Sequence, residues 1–257
     1  MSFENKTALV TGGNSGIGFA TARLLIAQGA RVAITGRDQA KLDEAVAELG
    51  PNALPIRADV NDPKAIDEVM KVIGERFGKL DIVFANAGVS GATPVGGTTA
   101  EKFESIMRTN VTAVFLTVQA AVPLMGEGGA IVLNGSVMRE LGRAGSAAYS
   151  ASKAAISGMA RVLASELVTR GIRVNTVIPG ATRTPIWTRG DRAGTTLDAA
   201  EAAMTPMIPM NRLADAEEVA QAAAFLASDA SSGMTAAEIV VDGGNTGAPM
   251  GAPIFRG

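Results

Sequence analysis

The sequence has no cysteine and no histidine among its 257 residues, and these two absences remove much of enzyme chemistry. No disulfide, thiol nucleophile, Cys/His zinc centre, Ser-His-Asp triad or imidazole acid/base can be built from it. No metal site is expected. Proton transfer near neutral pH must then use a carboxylate, a lysine, a tyrosine, a hydroxyl or water. Aromatic residues are scarce at 4%, so the core that a 47% hydrophobic content can build is aliphatic. An excess of charge is missing as well: 23 Lys+Arg against 25 Asp+Glu leave a net charge of −2 and a pI of about 5.4. Nucleic-acid binders usually carry a basic excess, so no nucleic-acid partner is expected. No apolar run approaches the roughly 18 residues that a membrane span needs. The N-terminus, Met1 to Lys6, also lacks the basic-then-apolar pattern of a signal peptide. The chain therefore reads as soluble and cytoplasmic, with no membrane partner.

Glycine, in contrast, is abundant at 30 residues, which implies many tight turns and close backbone approaches. Short apolar, β-branched runs alternate with longer amphipathic stretches almost from end to end. Strands are predicted over 7–11, 31–35, 54–60, 81–85, 130–134, 172–178 and 238–242. Helices are predicted over 17–28, closed by Gly29, over 39–49, ended by Gly50-Pro51, and over 63–77, opened by Pro63. Most of 100–124 and a small-residue stretch over 148–169 are also read as helix. The strands are apolar on both faces, as in a parallel sheet covered by helices on either side. Right-handed crossovers then give an α/β fold, a single-domain, Rossmann-like, doubly wound seven-stranded parallel sheet with helices on both faces, spanning 1–257. Two stretches depart from the pattern. Residues 182–213, rich in Pro, Met, Arg and Gly, are read as a lid or binding loop. The tail over 244–257 is either a frayed terminus or, through Met250, Ile254 and Phe255, a segment docked on a neighbouring subunit.

Between the first strand and first helix lies Thr11-Gly12-Gly13-Asn14-Ser15-Gly16-Ile17-Gly18. Glycines there let the chain turn sharply, let a pyrophosphate approach the backbone and let the helix pack closely on the sheet. The helix N-terminus offers unpaired N–H groups to the phosphates. A plain tight turn is the bland alternative, and the spacing is not GxGxxG. Its position at the first strand-to-helix turn favours a nucleotide.

This turn resembles that of the short-chain dehydrogenase/reductase family. Asn86-Ala87-Gly88 after the fourth strand is similar to that family's Asn-Ala-Gly motif, and Asn110, Ser136 and Tyr149-x-x-x-Lys153 match its catalytic tetrad in order and spacing. Pro179-Gly180-x-x-x-Thr184 and Val241-Asp242-Gly243-Gly244 resemble two further motifs, so the likeness runs from Lys6 to about Gly247. It implies Tyr149 as acid/base, Ser136 as carbonyl binder, Lys153 as tuner of the tyrosine and holder of the ribose, and Asn110 as support of a proton relay. For the cofactor it implies Gly12, Asn14, Ser15, Gly16, Ile17, Gly18, Arg37, Asp59, Val60, Asn86, Ala87, Gly88, Pro179, Gly180, Thr182 and Thr184, with Tyr149 and Lys153. A homotetramer is implied as well, and Ala151, Ala154, Ala155, Gly158 and Ala160 would allow close helix packing across a two-fold.

The residues support this independently. Tyr149 is the only tyrosine, and Lys153 at i+4 shares its helix face. An ammonium nearby lowers a phenol's pKa from about 10 toward neutrality. An isolated Tyr-x-x-x-Lys is more often a surface pair, but following the fifth strand puts this one at the carboxyl edge of the sheet, where ligands bind. Ser136 lies at the same edge, able to donate to a carbonyl oxygen. Asn110 falls inside a predicted helix, where an amide is poorly placed unless it has a task.

After the second strand, an acidic residue would mark NAD and an arginine would accommodate the 2′-phosphate of NADP. Gly36-Arg37 stand there, and Asp38 reads as a helix N-cap. NADP(H) is therefore preferred, with NAD(H) possible because Ser15 stands where many NADP-preferring relatives carry a second basic residue. Ser90, Met138, Ile186 and Trp187, with Leu141, Ala144, Met204 and Met207, are candidates for an apolar substrate wall, or equally for packing of the loop. Arg139, Arg143, Arg189 and Arg192 are the cations available there to an anion. The expected function is reversible NADPH-dependent reduction of a ketone to a secondary alcohol. The alternatives are a 3-oxoacyl-thioester reductase, although the mixed charges from Glu101 to Arg108 advertise no docking site for an acidic carrier, and an NAD-dependent secondary-alcohol dehydrogenase. A non-enzymatic NADP sensor would be expected to have lost the Tyr or the Lys.

Overall fold

Apolar side chains at odd and even strand positions alike produce a sheet that is covered on both sides. In the computed structural model, whose described residues are Met1 to Arg256 without the Arg192 side chain, seven strands form one parallel sheet. The strands are β1 (Thr7–Thr11), β2 (Arg31–Gly36), β3 (Ala53–Arg57), β4 (Leu80–Ala85), β5 (Met125–Asn134), β6 (Arg173–Pro179) and β7 (Glu238–Val241), in the order β3-β2-β1-β4-β5-β6-β7. The pleat sends Leu9, Ala33, Val83 and Ile131 to one face, where α3 (Pro63–Phe77), α5 (Ala113–Ala121) and α6 (Ala147–Leu167) bury them. It sends Ala8, Val10, Ile34 and Phe84 to the other, against α1 (Gly16–Ala27), α2 (Gln39–Leu49) and α8 (Ala216–Ala227). Strand order reverses between β1 and β4. That reversal opens a crevice at the carboxyl ends of these strands, where ligands bind in such sheets.

Some boundaries differ from the sequence reading for physical reasons. β3 ends at Arg57 rather than at 60, because Asp59 Oδ1 accepts from the Asn61 N–H at 3.0 Å and turns the chain out of the sheet. β5 begins at Met125, five residues early, pairing with Leu80 before an irregularity. The stretch 100–124 is helical in three parts: α4 (Ala100–Met107), a π-turn (Arg108–Thr112) and α5. α8 has no counterpart among the predicted elements. Its signal was the Asp215-x-x-Glu218 capping box, in which the Glu218 carboxylate accepts the Asp215 N–H at 2.8 Å.

The loop over 182–213 carries a helix of its own, α7 (Leu197–Met204). The tail is not frayed over its described part: Ala252 is fully buried, and Arg256 Nη2 donates to the Pro209 carbonyl at 2.8 Å, fastening the tail to the end of that loop. Gly257 and the Arg192 guanidinium lie outside the described residues. Among the described residues no helix is long and apolar enough to cross a membrane, and no cluster of three or more His, Cys, Asp or Glu is placed to hold a metal ion.

Candidate active site

The glycine turn closes the crevice at the end of β1. Gly16 has φ +56°, a conformation that favours glycine, and a Cβ there would stand 3.2 Å from the Thr184 side chain. At Gly18 a Cβ would meet Asn86 Nδ2 at 2.4 Å and the Gly12 carbonyl at 2.5 Å, so only glycine lets α1 start this close to the sheet. Ser15 is the N-cap residue but makes no side-chain bond to its own helix. Asn86 and Ala87 brace the turn: both N–H groups donate to Thr11 Oγ1 at 3.0 Å, and Asn86 Nδ2 donates to the Thr11 carbonyl at 2.9 Å. Asn134 Nδ2 in turn donates to Asn86 Oδ1 at 2.9 Å. Gly88 lies beneath Asn110, whose Oδ1 would be 3.3 Å from a Cβ.

Asp38 is the N-cap of α2, its carboxylate accepting from the Lys41 N–H at 3.3 Å. The tip of β2 is thus left to Arg37, whose carbonyl accepts from Arg57 Nε at 3.2 Å. Asp59 and Val60 occupy the turn after β3 rather than the strand itself, with Asp59 exposed.

Three of the four tetrad residues are brought to the edge beside this crevice, and the fourth braces them. Ser136, buried just beyond β5, accepts from the Met138 N–H at 3.2 Å, which leaves its own proton to donate. The first turn of α6 is fixed by Thr93, whose Oγ1 accepts from the Ala148 N–H at 3.0 Å, and the next residue is Tyr149. One turn on, Lys153 is buried, its Nζ 5.7 Å from the centre of the Tyr149 ring and donating to the Asn134 carbonyl at 2.6 Å. Enclosure away from water disfavours its charged form and lowers its pKa to about 8. Asn110 sits in the π-turn, a wide turn closed by the Ala113 N–H on the Arg108 carbonyl. Its amide is fully used, with Oδ1 accepting from the Val89 N–H at 2.8 Å and Nδ2 donating to the Val89 carbonyl at 2.9 Å and to Ser152 Oγ at 3.0 Å. Ser152 Oγ then donates to the Tyr149 carbonyl at 2.7 Å. Asn110 therefore locks the loop after β4 to the start of α6. Sequence reasoning missed Thr11, Thr93, Asn134 and Ser152 in these links, since nothing in their local pattern marks contacts made across the sheet.

The loop after β6 folds back over the crevice. Thr184 lies on Gly16, while Thr182 is buried and its carbonyl accepts from Trp187 Nε1 at 2.8 Å. The tryptophan N–H is thus turned toward its own loop. Gly180 packs against Asp242, whose Cα would be 2.7 Å from a Cβ, and Pro179 ends β6. Met138, Leu141 and Ala144 line a cavity of about 410 Å³, which Ile186 and Trp187 do not reach. Ser90 and Ile186 are half-buried, and the Ser90 carbonyl faces Gly190. Arg139 is not open to an anion: it is bound by Glu140, Glu238 and Ser157.

A doubly wound sheet with a glycine cradle at its reversal point and an acid/base edge beside it defines a dinucleotide-dependent oxidoreductase. Residues 12–246 match the family model described as enoyl-(acyl carrier protein) reductase. An oxidoreductase of Sarocladium schorii is 42% identical over 242 residues, covering 93% of this chain and 95% of the relative. A 3-oxoacyl-[acyl-carrier-protein] reductase of Salmonella typhimurium is 37% identical over 246 residues, 95% of this chain and 98% of its own. A crystal structure of a short-chain type dehydrogenase/reductase from Mycobacterium marinum superposes with a TM-score of 0.86 at 35% identity, over 96% of this chain and 97% of that one. The chain belongs to the short-chain dehydrogenase/reductase family. Its members are oxidoreductases of CH–OH and C=O groups that use NAD(H) or NADP(H). The residues present fit such a cofactor, because the cradle has no Cβ where a pyrophosphate must approach and the α1 N-terminus presents unpaired N–H groups to it.

Proposed function

We propose that this chain is an NADP(H)-preferring ketoreductase that converts a ketone reversibly to a secondary alcohol. The observation that carries the reading is the pair on α6: Tyr149 with the buried Lys153 ammonium 5.7 Å from its ring, one crossover beyond Ser136. Gly12, Asn14, Ser15, Gly16, Ile17 and Gly18 would hold the pyrophosphate side of the cofactor, and Thr184 and Thr182 would close over it. Asp59 and Val60 would flank the adenine, and Asn86, Ala87 and Gly88 would shape the floor. When bound, the nicotinamide exchanges a hydride with the carbonyl carbon. Ser136 donates its hydroxyl hydrogen to the substrate oxygen, stabilising the negative charge that grows there. Tyr149 delivers its proton to that oxygen. The Lys153 charge favours the phenolate left behind, and its donors beyond the one on the Asn134 carbonyl would be available to the ribose. Asn110 keeps this edge in register.

NADP(H) preference is supported by Arg37 at the tip of β2 and by the engagement of Asp38 as a helix cap. A panel of small, cyclic and aryl ketones and a 3-oxoacyl thioester, followed by nicotinamide absorbance with NADPH and NADH, tests the reading. Turnover should favour NADPH by at least about tenfold in kcat/KM, the worth of one good charge-assisted contact. Preference for NADH, or no turnover of any carbonyl compound, counts against it.

A homotetramer is part of this proposal. Phe103, Phe115, Val162 and Val168 are exposed on or beside α4, α5 and α6, and Met210, Val240, Met250, Ile254 and Phe255 are exposed around β7 and the tail. Two separate apolar areas support two dyads, the arrangement of a dihedral tetramer. Light scattering at micromolar concentration should return four times the 26.1 kDa chain mass, and a monomer mass would overturn it.

A further inference from the structure

We infer that Arg189, carried by the loop after β6, supplies a second cation for the 2′-phosphate of NADP(H), a position that the glycine turn itself leaves to the neutral Ser15. The inference rests on the NADP(H) reading and deepens it. The loop starts directly on the turn, with Thr184 over Gly16. Five residues later it comes back: Arg189 Nη1 donates to Ser15 Oγ at 3.3 Å. The segment is held there by its next acidic residue, since Asp191 accepts from the Ala92 N–H at 2.8 Å and from Lys102 Nζ at 2.9 Å.

The charges around this contact are unbalanced. Arg183 and Arg212, near the two ends of the loop, are paired with carboxylates, Arg183 with Glu201 at 2.5 Å and Arg212 with Glu218 at 2.6 Å. Among the described residues Arg189 pairs with no carboxylate, and neither does Arg37 or Arg57. The turn that carries Ser15 packs on the end of β2 that leads to Arg37. The Gly13 N–H donates to the Thr35 carbonyl at 3.2 Å, and the Asn14 side chain lies against Gly36, 3.0 Å from where a Cβ would be. Asp38, next to Arg37 in the chain, is turned to Lys41. The glycine turn thus has Arg189 on Ser15 and, beside the Gly36 against which Asn14 packs, Arg37, neither with a carboxylate partner, so an added anion there would meet positive charge from both. A dianionic phosphate ester is such an anion, and the forked donors of arginine match its oxygens. NAD(H) shares the pyrophosphate but carries a neutral 2′-hydroxyl in place of this phosphate, so it lacks the charge that would set the lid arginine's contribution apart. Binding of the phosphorylated cofactor thus also fastens the lid.

Calorimetric titration of the intact protein with NADPH and with NADH separately tests this. Arg189→Gln should weaken NADPH binding about tenfold, as loss of one charge-assisted contact does, and leave NADH within about twofold. Ser15→Arg added to Arg189→Gln should restore NADPH binding, because it returns a cation to the same corner. NADH binding serves as the control for folding, and Arg189 is exposed. Equal weakening for both cofactors would mean a pyrophosphate contact and would overturn the inference, as would unchanged NADPH binding in a wild type that prefers NADPH. A wild type that binds NADH more tightly would instead overturn the NADP(H) reading on which the inference rests.

Discussion

Replacing Tyr149 with phenylalanine is expected to lower ketone turnover by about 10³-fold while leaving the cofactor dissociation constant within about threefold. The substitution removes one hydroxyl and keeps the ring that packs at the start of α6. A chain without histidine or cysteine has few substitutes for that hydroxyl. Lys153 is engaged with the Asn134 carbonyl, and the Asn110 amide is fully used by Val89 and Ser152. Ser136 would still donate to the substrate oxygen, so binding and part of the electrostatic stabilisation should survive, which is why the loss falls in kcat. Single-turnover absorbance measurements separate hydride transfer from binding. A variant that retains more than a tenth of wild-type turnover would place the proton donor elsewhere, on Ser136 or on water, and the mechanism would have to be rebuilt.

What was legible in the sequence follows the range of the interactions involved. Strands such as Thr7–Thr11 announce themselves because burial on both faces demands apolar residues at successive positions, here Ala8, Leu9 and Val10, a local property. The glycine turn and the Tyr149–Lys153 spacing are local as well. The π-turn is different: it pays for its distorted hydrogen bonds with the fit of Asn110 against Val89 and Ser152, partners 21 and 42 residues away. Residue type there hinted at a task without showing the geometry. The early start of β5 depends on Leu80 of a neighbouring strand, and the reach of Arg189 to Ser15 spans 174 residues. α8 was lost for another reason, since its alanine-rich face follows directly on an irregular loop whose composition masked the capping signal.

Replacing Lys153 with methionine should abolish most activity and at the same time stabilise the fold near neutral pH. The lysine is enclosed, and its pKa falls from 10.5 to about 8. At about 1.4 kcal/mol per pKa unit, keeping it charged at pH 7 costs the folded state about 3 kcal/mol. The sign follows from proton counting: between pH 8 and 10.5 the unfolded chain holds this proton and the folded chain does not, so wild-type stability rises with pH across that window. Methionine fills similar space without the charge, but it leaves the Asn134 carbonyl without its 2.6 Å donor, a loss of roughly 1–2 kcal/mol. The net expectation at pH 7 is a gain of about 1–2 kcal/mol. Near pH 10.5 the advantage should vanish or reverse, because the neutral lysine then costs nothing and still donates its hydrogen bond. Urea unfolding of both proteins at pH 7 and near pH 10 gives this difference. Turnover should drop by about 10²-fold or more, since the phenolate of Tyr149 loses the charge beside it. A variant less stable at both pH values would make Lys153 an ordinary packing residue. Stability gained with activity lost would identify an ammonium held in the protein interior, against the preference of the fold, for the sake of the proton on its neighbour.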